Sequence, residues 1–216
     1  MNSSFRPVNA TDTPLAGARV LVIDDHSFTI RLVKDVLYAC GVGAVHTALD
    51  GGEGVAMLRS IQPQLVVTDW RMPGLDGLAM TRLIREAALT PDPRIPDPQV
   101  PIVLLSAHTS ARAVETARRA GVNEVVVKPF TIAALLQKMQ AAISQTRPVV
   151  VTDTYIGPDR RRRTDTGPGV IHGRRLTDLA RPELPAISAS ESVLKLLQAE
   201  LDELDRPQKA ARGRRR

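Results

Sequence analysis

The segment VLVIDD at residues 20–25 is a short apolar run that stops on two adjacent carboxylates, Asp24 and Asp25. Three later segments repeat the plan. LVVTD at 65–69 ends in Asp69, IVLLS at 102–106 ends in Ser106, and VVVKP at 125–129 ends in Lys128-Pro129. If these runs are neighbouring parallel strands, about 4.8 Å apart, their carboxyl ends bring three carboxylates, a hydroxyl and an ammonium to one rim. Open α/β sheets place their ligand sites on that rim. A carboxylate nucleophile beside an acidic pair and a lysine is suited to taking a phosphoryl group, with a divalent metal between the charges.

Working outward, segments of helical period separate the runs. Phe28, Leu32, Val33, Val36 and Leu37 recur at helical spacing and stop at Gly41, a C′ glycine. A short strand is expected at 45–48, then helices at 55–61, at 78–87 with Met80, Leu83 and Ile84 on one face, and at 111–120 before Gly121. Ile132, Leu135, Leu136, Met139 and Ile143 mark a fifth helix. Five strands alternating with five helices predict an α/β fold, a doubly wound parallel sheet over residues 18–147. The prolines at 91, 93, 96, 98 and 101 forbid a helix or central strand there, and an extended surface loop is expected.

The 216 residues, 43% hydrophobic, suffice for one core with extensions. Cys40 is the single cysteine, so no internal disulfide forms, and a reducing cytoplasm is expected. No apolar run reaches the length of a membrane span. The net charge of +6 lies mainly beyond residue 147, where 14 basic and 10 acidic residues contribute +4. Residues 1–17 are expected to be a disordered lead, 148–187 an Arg-, Pro- and Gly-rich linker without its own core, and 206–216 a basic tail. Residues 188–205 are expected to form a short amphipathic helix, with Ser188 and Glu191 at capping-box spacing and Leu194, Leu197, Leu201 and Leu204 on one face.

The stretches VLVIDDHS, VVTDWRMPGLDG, IVLLSAH and VVVKPF, in this order and spacing, resemble the CheY-like receiver domain of bacterial two-component response regulators. The resemblance implies a flavodoxin-like strand order of 2-1-3-4-5 and a phosphorelay role. A sensor histidine kinase or phosphotransfer protein would donate a phosphoryl group to Asp69, and the receiver would change its affinity for a downstream protein. Carried over position by position, Asp24, Asp25 and Asp69, with the backbone carbonyl of Arg71, would hold Mg²⁺. Lys128 would pair with the phosphoryl oxygens and Ser106 would donate a hydrogen bond to them. A cis Lys128-Pro129 bond is implied as well. Such a chain is a phosphoacceptor signalling protein, not an enzyme acting on a separate substrate. Taken singly, each residue has an ordinary explanation as a loop residue, cap or solvated charge; four agreeing strand ends do not. Asp76 is read as the cap of the third helix, and His26 as a neighbour of the acidic pair without a ligand role.

The chain departs from the family pattern at Val125, where receivers commonly carry Tyr or Phe. His108 and Arg71 flank the mouth of the expected site. Neither a helix-turn-helix nor a zinc, P-loop or dinucleotide motif follows residue 147. The box YIGPDRRRR at 155–163 suggests an alternative output, receiver-controlled binding of nucleic acid by the basic tail. That reading ranks second, because Asp153, Asp159 and Asp165 dilute the charge and Tyr155 is the lone aromatic there. A haloacid-dehalogenase-like phosphatase is excluded by spacing: that chemistry uses Asp-x-Asp after the first strand, and here Asp24 and Asp25 are adjacent.

Overall fold

A computed structural model describes residues 14–144, 149–152 and 155–158. Five strands, β1 (Arg19–Ile23), β2 (Ala44–Ala48), β3 (Leu65–Asp69), β4 (Ile102–Ser106) and β5 (Glu124–Val127), form one parallel sheet in the order β2-β1-β3-β4-β5. This is the expected flavodoxin-like order. Every residue of β3 and β4 is buried, which explains why their sequences run apolar without polar alternation: both faces are covered. Along β1, Val20 and Val22 enter one core and Leu21 and Ile23 the other, the two-residue period of a strand.

Five helices supply the covers. The first core takes Leu32, Val33, Val36 and Leu37 of α1 (Ser27–Ala39) and Leu135, Leu136 and Met139 of α5 (Ile132–Ser144). The second takes Val55 and Leu58 of α2 (Gly51–Ile61) and Met80 and Ile84 of α3 (Gly77–Glu86). A smaller cluster joins Leu78 and Leu104 to Ala117 of α4 (Ala111–Arg119), the single buried residue of that helix. Helix α2 starts four residues before the apolar period predicts, because Asp50 accepts the Glu53 N–H at 2.9 Å while Glu53 accepts the Leu49 N–H at 2.8 Å. Asp76 caps α3 as expected, accepting the Ala79 N–H at 2.7 Å. The Lys128-Pro129 bond is cis.

Three expectations need correction. Residues 14–17 of the expected lead belong to the fold, since Leu15 is fully buried in the α1–α5 core and Gly17 donates to the Gly41 carbonyl at 2.9 Å, while residues 1–13 lie outside the described residues. The proline-rich loop does avoid regular structure, yet it is not wholly on the surface: Ile95 and Val100 enter the α2–α3 core and fold the loop back. The start of the expected linker is a hairpin in which β6 (Val149–Thr152) pairs antiparallel with β7 (Tyr155–Pro158). Strand β7 packs against α3 and α4, so its burial comes from the five-stranded domain rather than from the linker itself. The Arg run at 160–163, the helix expected at 188–205 and the tail at 206–216 lie outside the described residues.

Candidate acidic site at the carboxyl edge of the sheet

The register makes the rim. Ile23 is level with Thr68, so Asp24 and Asp69 leave adjacent strands side by side. Asp69 is level with Leu105, and Ser106 with Val127, which sets Ser106 and then Lys128 one step further along. The Lys128 N–H donates to the Ser106 carbonyl at 2.6 Å, tying the start of the cis turn to the end of β4. Below Asp69, the N-terminus of α3 approaches through Gly77. Its N–H donates to the Trp70 carbonyl at 3.0 Å, and a β-carbon there would collide with the Asp69 carbonyl oxygen. Only glycine lets the helix begin so close to the acidic strand end.

Lys128 joins two of the carboxylates. Its Nζ lies 3.1 Å from Asp24 Oδ2 and 2.5 Å from Asp69 Oδ1. The second oxygen of Asp69 accepts the Arg71 N–H at 2.9 Å, and Asp24 Oδ1 accepts the His26 N–H at 2.8 Å. Asp24 is fully buried, whereas the Asp25 side chain is 27% exposed. Burial holds the Asp24 carboxyl above the usual carboxylate range. Lys128 and the His26 N–H pull it down, and the Asp69 charge adds to the rise. For Lys128, burial pulls the ammonium down, but Asp24 and Asp69 together outweigh it and the net shift is upward. Both groups therefore favour their protonated forms, Asp24 chiefly because it is buried and Lys128 because two carboxylates face it.

Asp25 has a different neighbour. The His26 ring Nδ1 lies 2.9 Å from Asp25 Oδ1 and 3.4 Å from Asp24 Oδ1, so ligand atoms of Asp24, Asp25 and His26 all fall within 4.8 Å of one another. The imidazole contact was not foreseen, and the adjacency of His26 to Asp25 was its only signal. The two carboxylates suit a hard cation that prefers oxygen, and the partly exposed Asp25 leaves a way in.

Ser106 is fully buried, and its Oγ accepts the His108 N–H at 2.9 Å and donates to the His108 carbonyl at 3.3 Å. The hydroxyl is thus engaged with its own loop. His108 is held from two further sides: Arg71 Nε donates to its Nε2 at 3.3 Å, and the Trp70 ring meets it edge-to-face at 5.0 Å. Trp70, which sequence reasoning did not single out, also packs with Val125 on the Leu104–Ala117 cluster. An aromatic ring therefore reaches that cluster from the residue after Asp69 instead of from β5.

Residues 20–140 match the family of response regulator receiver domains. The chain is 34% identical to the chemotaxis protein CheY-3 of Vibrio cholerae over 121 residues, 56% of this chain and 88% of that one. It is 29% identical to the transcriptional regulatory protein PrrA of Mycobacterium leprae over 201 residues, 89% of this chain and 80% of that one. The receiver domain of the Francisella response regulator 1452 superposes with a TM-score of 0.53 at 25% identity, covering 60% of this chain and 99% of that structure. No helix among the described residues is long and apolar enough to cross a membrane. With the strand order and the converging strand ends, these similarities establish that the chain belongs to the response regulator receiver family, the signalling modules of two-component phosphorelays.

Proposed function

We propose that Asp69 is the phosphoacceptor. One carboxylate oxygen attacks phosphorus, the bond to the donor nitrogen of a kinase or phosphotransfer histidine breaks, and the imidazole leaves and regains a proton from solvent. The observation that carries the reading is the Lys128 ammonium spanning Asp24 and Asp69, a cation set where phosphoryl oxygens would arrive. Asp24, Asp25, Asp69 and the backbone carbonyl of Arg71 would hold Mg²⁺, which when bound supplies positive charge to shield the incoming anion from the acidic cluster. Arg71 positions Asp69 through its N–H. Ser106 would exchange its His108 contacts for a hydrogen bond to the new phosphoryl group. The only chemistry is the chain's own phosphorylation and the loss of that group, carried out in the cytoplasm, and the modified receiver changes its affinity for a protein partner.

Intact mass after incubation with acetyl phosphate and Mg²⁺ tests this. One phosphoryl mass on the native chain, dependent on metal and lost in Asp69→Asn, is expected. Normal uptake by the variant would remove Asp69 from the role.

A second reading, control of nucleic-acid binding through the basic C-terminal tail, draws on the length of the similarity to PrrA, which reaches beyond the receiver. Anisotropy of labelled duplex DNA, titrated with the chain before and after phosphorylation at two salt concentrations, separates the readings. Tight, salt-sensitive binding altered by phosphorylation favours the second, and no binding favours a protein partner.

A further inference from the structure

The first part of the YIGPDRRRR box is a docking element. Its four residues form β7, and Gly157 and Pro158 are buried against the receiver. The contact centres on Gly121, which ends α4 with φ +96°. A β-carbon on Gly121 would meet Arg85 Cγ at 2.7 Å and the Ile156 carbonyl at 3.2 Å. One on Gly157 would meet the Tyr155 hydroxyl at 2.5 Å and Gly121 Cα at 2.8 Å. Two glycines thus let the hairpin lie backbone to backbone on the α4–β5 turn, and the Tyr155 hydroxyl closes it by donating to the Pro158 carbonyl at 2.8 Å.

Beneath lies the fully buried Arg85. Among the described residues its hydrogen-bond partners are three neutral acceptors, the Gly121 carbonyl at 3.0 Å, the Pro98 carbonyl at 2.5 Å and Asn123 Oδ1 at 2.9 Å. Burial pushes this guanidinium down to about 10, with Tyr155 and Asp97 acting in the opposite direction. A buried cation held by neutral groups regains hydration when its cover lifts, which offsets part of the apolar burial lost on undocking.

Helix α4 links this corner to the acidic rim. Its first turn is capped by Ser110, two residues from His108, whose N–H and carbonyl both engage Ser106. Its last turn runs into Gly121. With Ala117 as its sole buried residue, it is the least anchored of the five helices. A change at Ser106 reaches the start of a loosely held helix whose far end carries the hairpin.

We propose that the β6–β7 hairpin is a latch on the α3–α4 corner whose docking opposes the phosphorylated state, and which loosens when Asp69 is modified. This rests on the acceptor reading of Asp69. Arg160 to Arg163 begin two residues beyond Pro158 in the sequence, so release shifts their point of attachment. Coupling is reciprocal: what loosens the latch must favour the phosphoryl state by the same factor.

The test uses the full chain and beryllofluoride with Mg²⁺, an equilibrium mimic of the phosphoryl group, read by fluorescence of the single tryptophan, Trp70. Gly157→Val, which cannot keep the close approach, should bind the mimic about fivefold tighter or more. In the native chain, amides of β6 and β7 should exchange hydrogen faster once the mimic is bound. Equal affinity in variant and native chain, or hairpin exchange unaltered by the mimic, would overturn the latch while leaving the acceptor reading intact. Failure of the native chain to bind the mimic, together with failure to take phosphate from acetyl phosphate, would overturn both.

Discussion

Lys128→Met removes the ammonium but keeps a stem of similar length, so it isolates the charge between Asp24 and Asp69. Their facing oxygens are at most about 5.6 Å apart, the 3.1 and 2.5 Å contacts laid end to end. Two unit charges at that separation repel by about 3 kcal/mol at an effective dielectric of 20. Lys128 is 26% exposed, so water takes up part of the lost attraction, and a net destabilisation of about 2 kcal/mol at neutral pH follows. Urea unfolding followed by Trp70 fluorescence should show the midpoint falling by about 1 M. The sign with pH is specific. Burial already raises the Asp24 carboxyl, and without Lys128 it rises further, so protonating it relieves the repulsion. Because its folded value exceeds the unfolded 3.8, the stability tied to Asp24 is complete below about that pH and is lost as pH climbs through the folded value. The deficit of the variant should therefore shrink on acidification. The uncompensated carboxylates should also bind Mg²⁺ more tightly than in the native chain. A variant as stable as the native chain at neutral pH, with unchanged metal affinity, would refute the view that Lys128 neutralises this cluster.

Three further outcomes follow from the same geometry. Asp25→Ala should weaken Mg²⁺ binding in a calorimetric titration with little loss of stability, because the side chain is partly exposed. Gly77→Val should lower both the melting temperature and phosphate uptake from acetyl phosphate, since the new side chain would be driven into the Asp69 backbone. The Cys40 thiol, buried and pushed up to about 11 from 9.0, should react with iodoacetamide at pH 8 at least about a hundredfold more slowly in the folded chain than in urea. Stability linked to that thiol should hold below pH 9 and decline toward 11, visible as a falling urea midpoint.

What was legible in the sequence follows from where each segment finds its burial. The inner strands are covered on both faces, so LVVTD and IVLLS spell out their role without reference to anything distant. Helices α1 and α5 each bury several residues and show the helical period plainly; α2 does so only from Val55, its first turn being set by the Asp50 cap instead of by apolar residues. The convergence of Asp24, Asp69 and Lys128 could be read because parallel strands bring their carboxyl ends to one side of a sheet whatever the loops do. Contacts made across loops left no such mark. The Arg71–His108–Trp70 group, the Ser106 hydrogen bonds to His108 and the His26–Asp25 contact depend on loop conformation, which no periodicity encodes.

The hairpin is the sharpest case. VVVT and YIGP are four residues each, without alternation, and a two-stranded hairpin has too little of its own to bury. Composition alone therefore assigns the region to a linker. Its partner is Gly121, which sequence reading had already explained as the end of α4, and Arg85, which looks from the sequence like an ordinary charged residue near the end of α3. A glycine that both terminates a helix and admits a strand carries two constraints in one residue, and only the first has a local signature. Hence Gly121→Ala discriminates. Loss of the helix stop alone would cost stability throughout the domain, whereas loss of the docking surface would speed hydrogen exchange in β6 and β7 beyond the rest of the chain.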